Sequence, residues 1–597
     1  MPSSFRVRAA LSRHALPFEG SGQPALSPRP TDPRHDHSRT SQLLFEAPVL
    51  LPLTEDQRKL IEQLNFFKKW YLFCHFVYIC ALVMIGFLGL LAMVPHIAAI
   101  DAFFIAVSSV CNCGLQSVNV GQWSTGATLF RHLLLLPGGV VITSSFQPLL
   151  RLFMLYRVRH VFYPKEKDTP QEALLRAKKR AEARRLYYAA LVSVVTPFVY
   201  FVVVNVTLMT LLWYLNVSHL SAFDVFCMTL ASFHSSIFLP MEAYAGDAAV
   251  TGLVTATCAL GFTAFPVLLR PFMLCEWCLV RAIRRLAGPS CGCVAFCRSP
   301  PDVIGEDQER DTTETDDISA ALLHAPPRRP SSLLGCVDEA DAAFQEIMTS
   351  KEPGTFHPFL FRPSETFFLG CAWCALTLIQ AVPLWYEQWD GVLHGYTWPY
   401  KLYLSLCQAA AVRFAAASFV PLLEYSNAHV AVTILAMYLP ALPISTDRTH
   451  RKWKQMFRTS VVRLLTSRLF WLFTGMVLVL FAEESRMWAQ LLNTRFDIMT
   501  RTFFEVISAY AGCGLSLSLP GSSVSFVGFT STFGKLIIAA VILGGRHRFV
   551  DLGIDLGFGS LQSALNPTSP SNEQASSAPT EWHASYRSEA STTRVCE

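Results

Sequence analysis

The chain has 597 residues, 52% hydrophobic and only 16% charged, with a mean hydropathy of +0.35. That composition excludes a water-soluble protein of this size and fits a chain that crosses a bilayer many times. A formal net charge of +5 says little by itself, because in such a chain the informative quantity is where the basic residues fall.

Residues 1–64 read as a disordered cytoplasmic tail rich in Pro, Ser, Arg and His. Its first eighteen residues carry Arg6, Arg8 and Arg13 without an acid, which leaves an organellar address open beside the plasma membrane. A span needs about 20 apolar residues. Such runs fall at Tyr71–Ile100, about 128–150, Tyr187–Leu215, Ala248–Leu269, Thr366–Tyr386, Tyr425–Ser445, about 464–482 and about 522–545, which makes eight expected spans. Bases cluster in alternate connections: ten from Arg157 to Arg185, then Arg281, Arg284 and Arg285, then five from Arg448 to Arg458. The positive-inside rule assigns these connections and both termini to the cytoplasm. Asn216-Val217-Ser218 is then a glycosylation sequon on the outside. The organisation that follows is a first unit at 65–157, a basic connection at 158–186, a second unit at 187–285, a linker at 286–360, a third unit at 361–446, a basic connection at 447–460, a fourth unit at 461–548 and a cytoplasmic tail at 549–597.

Each expected outward connection holds a half-length helix that ends in small residues. Without gaps the four read DAFFIAVSSVCNCGL from Asp101, DVFCMTLASFHSSIF from Asp224, YLSLCQAAAVRFAAA from Tyr403 and RTFFEVISAYAGCGL from Arg501. Two small residues recur at one place: Ser108-Ser109, Ala231-Ser232, Ala410-Ala411 and Ser508-Ala509. Non-helical backbone at bilayer depth is tolerated only where protein buries it or where it lines a watery path. Four such loops suggest one axis within one chain, with negative helix ends that favour a cation. The fold class is therefore all-α and integral to the membrane, with four span, half-helix, span repeats around a pseudo-fourfold pore. No Walker loop, zinc-protease helix or catalytic triad signature is present, so neither an enzyme nor a cofactor is expected. The expected partners are membrane lipids and no nucleic acid.

These residues resemble the Trk/Ktr/HKT superfamily of potassium and sodium transporters, and most of all its fungal-type Trk branch. Asp101-Ala102-Phe103-Phe104 with Asn112-Cys113-Gly114-Leu115 resembles the first pore loop of that family, and Ser508-Ala509-Tyr510 through Gly514, with Lys535 and Gly545-Arg546-His547-Arg548, resembles the fourth. The resemblance implies a filter of backbone carbonyls at Val110, Cys111, Asn112, Cys113 and Gly114; at Phe233, His234, Ser235, Ser236 and Ile237; at Val412, Arg413, Phe414, Ala415 and Ala416; and at Tyr510, Ala511, Gly512, Cys513 and Gly514. Its key position, usually glycine, falls on Gly114, Ile237, Ala416 and Gly514, and the second and third depart from glycine. The resemblance makes Lys535 a charge facing the pore beneath the filter; on its own the residue would equally be paired with an acid. Arg413 is expected to pin the third loop through backbone carbonyls. A homodimer is implied by the family alone. The implied function is passage of K⁺, or Na⁺, through one pore per chain; a Na⁺- or H⁺-coupled symporter and a non-conducting sensor or scaffold remain as alternatives.

Overall fold

The computed structural model describes residues 55–161, 170–215, 220–237, 241–286, 333–413, 417–438, 468–491 and 496–547. Asn216, Phe414, Ala415 and Ala416 lie outside the described residues, as do most of the two tails and of the linker. Among the described residues the regular elements are all helices.

The first unit consists of α1 (Glu55–Met93), α2 (Ala99–Val110) and a second long helix broken into α3 (Thr125–Gly138) and α4 (Val140–Ser144), followed by α5 (Phe146–Val161). The second has α6 (Pro170–Tyr214), α7 (Ala222–Phe233), α8 (Ala248–Cys258) with a π turn at Ala259–Thr263, and α9 (Phe265–Leu286). α10 (Leu333–Thr349) precedes the third unit of α11 (Pro363–Glu387), α12 (Trp398–Val412) and α13 (Asn427–Tyr438). The fourth comprises α14 (Arg468–Leu491), α15 (Ile498–Ala511) and α16 (Thr532–Arg546).

Among the described residues four stretches are long and apolar enough to span: Trp70–Met93, Thr125–Ser144, Arg176–Tyr214 and Pro363–Glu387; α8 and α9 form a fifth candidate bent by 90°. The other expected spans fall short for visible reasons. The description of α13 stops at Tyr438, α14 contains Glu483, Glu484 and Arg486, and α16 has 15 residues. The basic stretch before Tyr187 is helical. It continues into the span as one 45-residue helix, α6, about 68 Å long at 1.5 Å per residue.

The short helices α2, α7, α12 and α15 have 12, 12, 15 and 14 residues, about 18–23 Å against the ~30 Å of a bilayer core. Each packs on a helix of another unit as well as on its own: α2 on α16, α7 on α3, α12 on α8 and α15 on α13. These contacts run from each unit to the one before it and join the last to the first, so the four units close into a ring. Their shared core holds Phe104, Val110, Met228, Val412, Phe504 and Tyr510 among its buried residues.

Candidate functional site

Three of the four half-helices end in the same way. In α2 the Asn112 N–H donates to Ser109 O and the Cys113 N–H to Ser108 O; in α7 Ser235 donates to Ser232 O and Ser236 to Ala231 O; in α15 Gly512 donates to Ala509 O and Cys513 to Ser508 O. This pair of bonds is the Schellman termination, which puts the residue after the helix in the left-handed region. Asn112, Ser235 and Gly512 have φ of 54°, 55° and 66°. The recurring pair of small residues therefore supplies the two acceptor carbonyls of each turn, at the point where the chain doubles back. The equivalent residue of the third unit, Phe414, is outside the described residues.

Two positions further on, Gly114 and Gly514 are again left-handed, with φ of 92° and 76°, whereas Ile237 is not among the positive-φ residues. A β-branched side chain resists that conformation. The second loop thus leaves the course followed by the first and fourth at this position.

A feature not expected from the sequence ties each turn to the following long helix. A Cβ on Gly138 would lie 1.7 Å from Val110 O, one on Gly261 1.9 Å from Phe233 O, and one on Gly545 2.0 Å from Tyr510 O. Val110, Phe233 and Tyr510 occupy the same place in the three half-helices. The glycines are also equivalent, each fourteen residues after a helix-capping residue: Ser124 accepts from Ala127 N–H, Asp247 from Ala249 and Val250 N–H, and Ser531 from Gly534 N–H. Only the absence of a side chain lets these carbonyls approach the helix so closely.

The turns are held from both sides. Arg501 donates to the carbonyls of Phe496, Leu517 and Ser518, bracing the fourth loop. In the third unit Gln408 Oε1 accepts from Phe419 N–H at 2.6 Å and Val420 N–H at 3.2 Å, while its Nε2 donates to the Tyr425 hydroxyl at 2.7 Å. Adjacent loops are joined as well: the Cys513 thiol donates to Val412 O at 2.8 Å, and the Ser525 N–H donates to Gln116 O at 3.0 Å.

Below the turns lies a narrow cavity of about 30 Å³, room for one or two water molecules. Cys111, Asn112, His234, Ser235, Ala511, Gly512 and Arg546 are among its lining residues. Arg546 donates to Gly138 O and, at 3.0 Å, to Thr143 Oγ1. The Gly138 carbonyl is available because Gly139, at φ −58° and ψ 140°, interrupts the helix between α3 and α4. Asn112 Oδ1 and His234 Nε2 are buried there without a hydrogen-bond partner among the described residues.

Lys535 does not face this cavity. It is the fourth residue of α16, and its Nζ sits 2.6 Å from Asp101 Oδ1 in the first turn of α2. Both residues are buried, at 9% and 8% exposure. A buried ammonium is costly unless an opposite charge receives it, and the first half-helix provides one where the ring closes. Arg413, at the end of α12, donates through Nη1 to the backbone carbonyl of Trp373 in α11 at 3.5 Å.

A model of a family described as "TrkH: Cation transport protein" matches residues 396–557. "Potassium transport protein 1" of Schizosaccharomyces pombe is 26% identical over 167 residues, 25% of this chain and 20% of its own. "Potassium transporter TRK1" of Candida albicans is 27% identical over 188 residues, 28% of this chain and 18% of its own. Over these stretches the chain is similar to Trk-type potassium transporters. It spans about a fifth of the length of these two relatives. The crystal structure of the potassium transporter TrkH from Vibrio parahaemolyticus matches with a TM-score of 0.41 and 12% identity, covering 80% of this chain and 82% of that one.

This similarity, together with the long apolar helices among the described residues, fits a multi-pass membrane protein. The family match begins near the third half-helix and runs through the fourth unit. The Trk resemblance singled out the turns and, in the third unit, Gln408, but gave no role to Gly138, Gly261 or Arg501, and it read Arg546 only as part of a basic ending. One signal was available: Gly138 and Gly261 both fall thirty-seven residues after the aspartate that opens their half-helix sequence.

Proposed function

We propose that the chain carries a monovalent cation, K⁺ and less selectively Na⁺, down its electrochemical gradient through a path bounded by the four half-helix loops. The single observation that carries this reading is the recurrence of one turn at Asn112, Ser235 and Gly512, each backed by a glycine of the following helix. Such a turn directs successive carbonyls to one side, where they can replace water around an ion. The half-helix ends add roughly half a negative charge each. The finer architecture we infer is eight spans in four repeats about a pseudo-fourfold axis, with Phe414, Ala415 and Ala416 completing the third loop.

Ile237 in place of glycine gives the second loop a different contribution, which argues for weak discrimination between K⁺ and Na⁺. Arg546 takes the role first expected of Lys535. A unit charge about 4 Å from a passing cation opposes it by ~4 kcal/mol at an effective dielectric of 20, so passage requires the guanidinium to move aside or the ion to keep its distance. We further infer a plasma-membrane protein with cytoplasmic termini, surrounded by lipid and paired as a homodimer, with Asn216 on the outer side.

The test is tracer uptake and growth on low potassium in a host without its own potassium uptake. Wild type should restore both, and Gly514→Asp, which adds a bulky charge at a left-handed position, should abolish both at equal surface amount. Wild type at the surface that restores neither overturns the reading in favour of a non-conducting sensor.

A further inference from the structure

The stretch between the second and third units is more than a tether. α10 presents three acids to bases on two other helices. Glu339 meets Arg184 of α6, Asp338 meets Arg284 of α9 at 2.9 Å, and Asp341 meets Arg281 at 3.1 Å and Arg284 at 2.6 Å. Asp341 also accepts the Trp277 indole N–H at 2.6 Å. Burial by itself would raise the Asp341 carboxyl, but the hydrogen bonds from Trp277, Arg281 and Arg284 outweigh it and hold it below the ordinary carboxylate range.

From this clasp the chain turns back beneath the loops. Phe356, Phe359, Leu360 and Phe361 are buried in one cluster with Val141, Phe265 and Phe233, the last residue of α7. Arg270 donates to Phe361 O at 2.9 Å and Met348 O at 3.1 Å, and Arg151 donates to Thr355 O. Pro358 and Phe359 line a second cavity, of about 40 Å³, whose wall also includes Val140, Thr143 and Arg546. Val140 and Arg546 line the cavity under the turns as well. The segment therefore lies across the continuation of that cavity.

We propose that residues 353–361 are a plug on the inner end of the cation path and that α10 is the latch holding it, so that loosening the acid–arginine clasp opens the path. This rests on the cation-transport reading above. Cavities of 30 and 40 Å³ hold a water or two and cannot pass a hydrated cation, and an apolar constriction at such a place closes a path by excluding water. Something here must move for conduction. The latch combines a buried part, with Asp341 at 11% and Phe344, Ile347 and Met348 in the core, and an outer part open at the surface, where Arg184 and Glu339 are 39% and 25% exposed and Arg281 and Arg284 46% and 41%. Exposed ion pairs are individually weak, so a solvent-side change can release them without dismantling the bundle.

The experiment uses the full chain in membranes and compares wild type with Glu339→Arg, Arg184→Glu and the two combined. Plug position is read with Phe359→Cys added to each, by labelling with a small hydrophilic maleimide quantified at that site by mass spectrometry. Transport is read as tracer uptake per surface molecule without the reporter. Each single charge reversal should raise both labelling and uptake about two- to five-fold, the factor one exposed pair supports, and the combined reversal should return both to wild type. Phe359→Ala, which trims the plug with the latch intact, should raise uptake too. Labelling that ignores the clasp overturns the latch. Labelling that rises while uptake does not, with Phe359→Ala also inert, overturns the plug. If no chain transports, wild type included, the cation-transport reading is the one that fails, while labelling still decides whether the latch exists.

Discussion

Replacing Gly545 by alanine tests the fit between turn and helix with one methyl group. The new Cβ would lie 2.0 Å from Tyr510 O, 2.7 Å from its carbonyl carbon and 2.8 Å from its Cα. All three are backbone atoms, so no side chain can swing away. To reach the 3.0 Å that real Cβ contacts keep, α16 and the end of α15 must separate by about 1 Å. Overpacking of this kind costs ~1–3 kcal/mol, which leaves a protein that still folds but whose fourth turn has moved. A displacement of about 1 Å at a positioned site lowers function on the order of 10²-fold. Uptake per surface molecule should fall accordingly for Gly545→Ala, and for Gly138→Ala and Gly261→Ala by the same contact to Val110 O and Phe233 O. Gly126→Ala, whose Cβ would meet only Met93 Cε at 3.7 Å, serves as the control and should transport like wild type. Normal uptake by all three variants would refute the claim that these carbonyls form part of the path.

The Lys535–Asp101 pair predicts a stability effect. Lys535→Met or Asp101→Leu alone strands a buried charge and should destabilise by ~3–5 kcal/mol, whereas the double substitution should recover most of that loss; thermal unfolding in detergent reads the difference. His357 predicts a pH effect. Burial pushes its imidazole down to about 3, while its Nδ1 accepts the Phe359 N–H at 3.2 Å. Once exposed the group would titrate near 6.5. A base whose seated value is lowered contributes fully above pH 6.5, and the seating weakens by ~1.4 kcal/mol per unit as pH falls below that, down to about pH 3. Labelling of the Phe359→Cys variant, expressed relative to an exposed cysteine labelled at the same pH so that the falling thiolate fraction cancels, should therefore rise between pH 7.5 and 5.5, and His357→Phe should remove the dependence.

The half-helices were readable in the sequence because their requirement is local. A Schellman turn needs small acceptor residues and a tolerant left-handed position, and Ser108-Ser109, Ala231-Ser232 and Ser508-Ala509 appear at equal spacing. The supporting glycines were harder to see. Gly138 and Gly261 keep one spacing from their half-helix, but the longer fourth loop puts Gly545 forty-four residues after Arg501, so the period breaks in the unit that resembles the family most. The partner of Lys535 was not readable at all. Asp101 lies 434 residues away, and the pair meets only because the ring brings the last helix to the first half-helix. The segment after Leu333 reads as linker beside neighbours rich in Pro, Asp and Ser; its acids find arginines on α6 and α9 only once those helices are packed.

Flux through purified protein in liposomes tests the central claim most directly, since nothing else can carry the ion. With a K⁺ gradient imposed, wild type should release K⁺, Na⁺ should substitute with modest loss, and Gly514→Asp should be silent at equal incorporation. Properly incorporated wild type that passes neither ion would contradict the account.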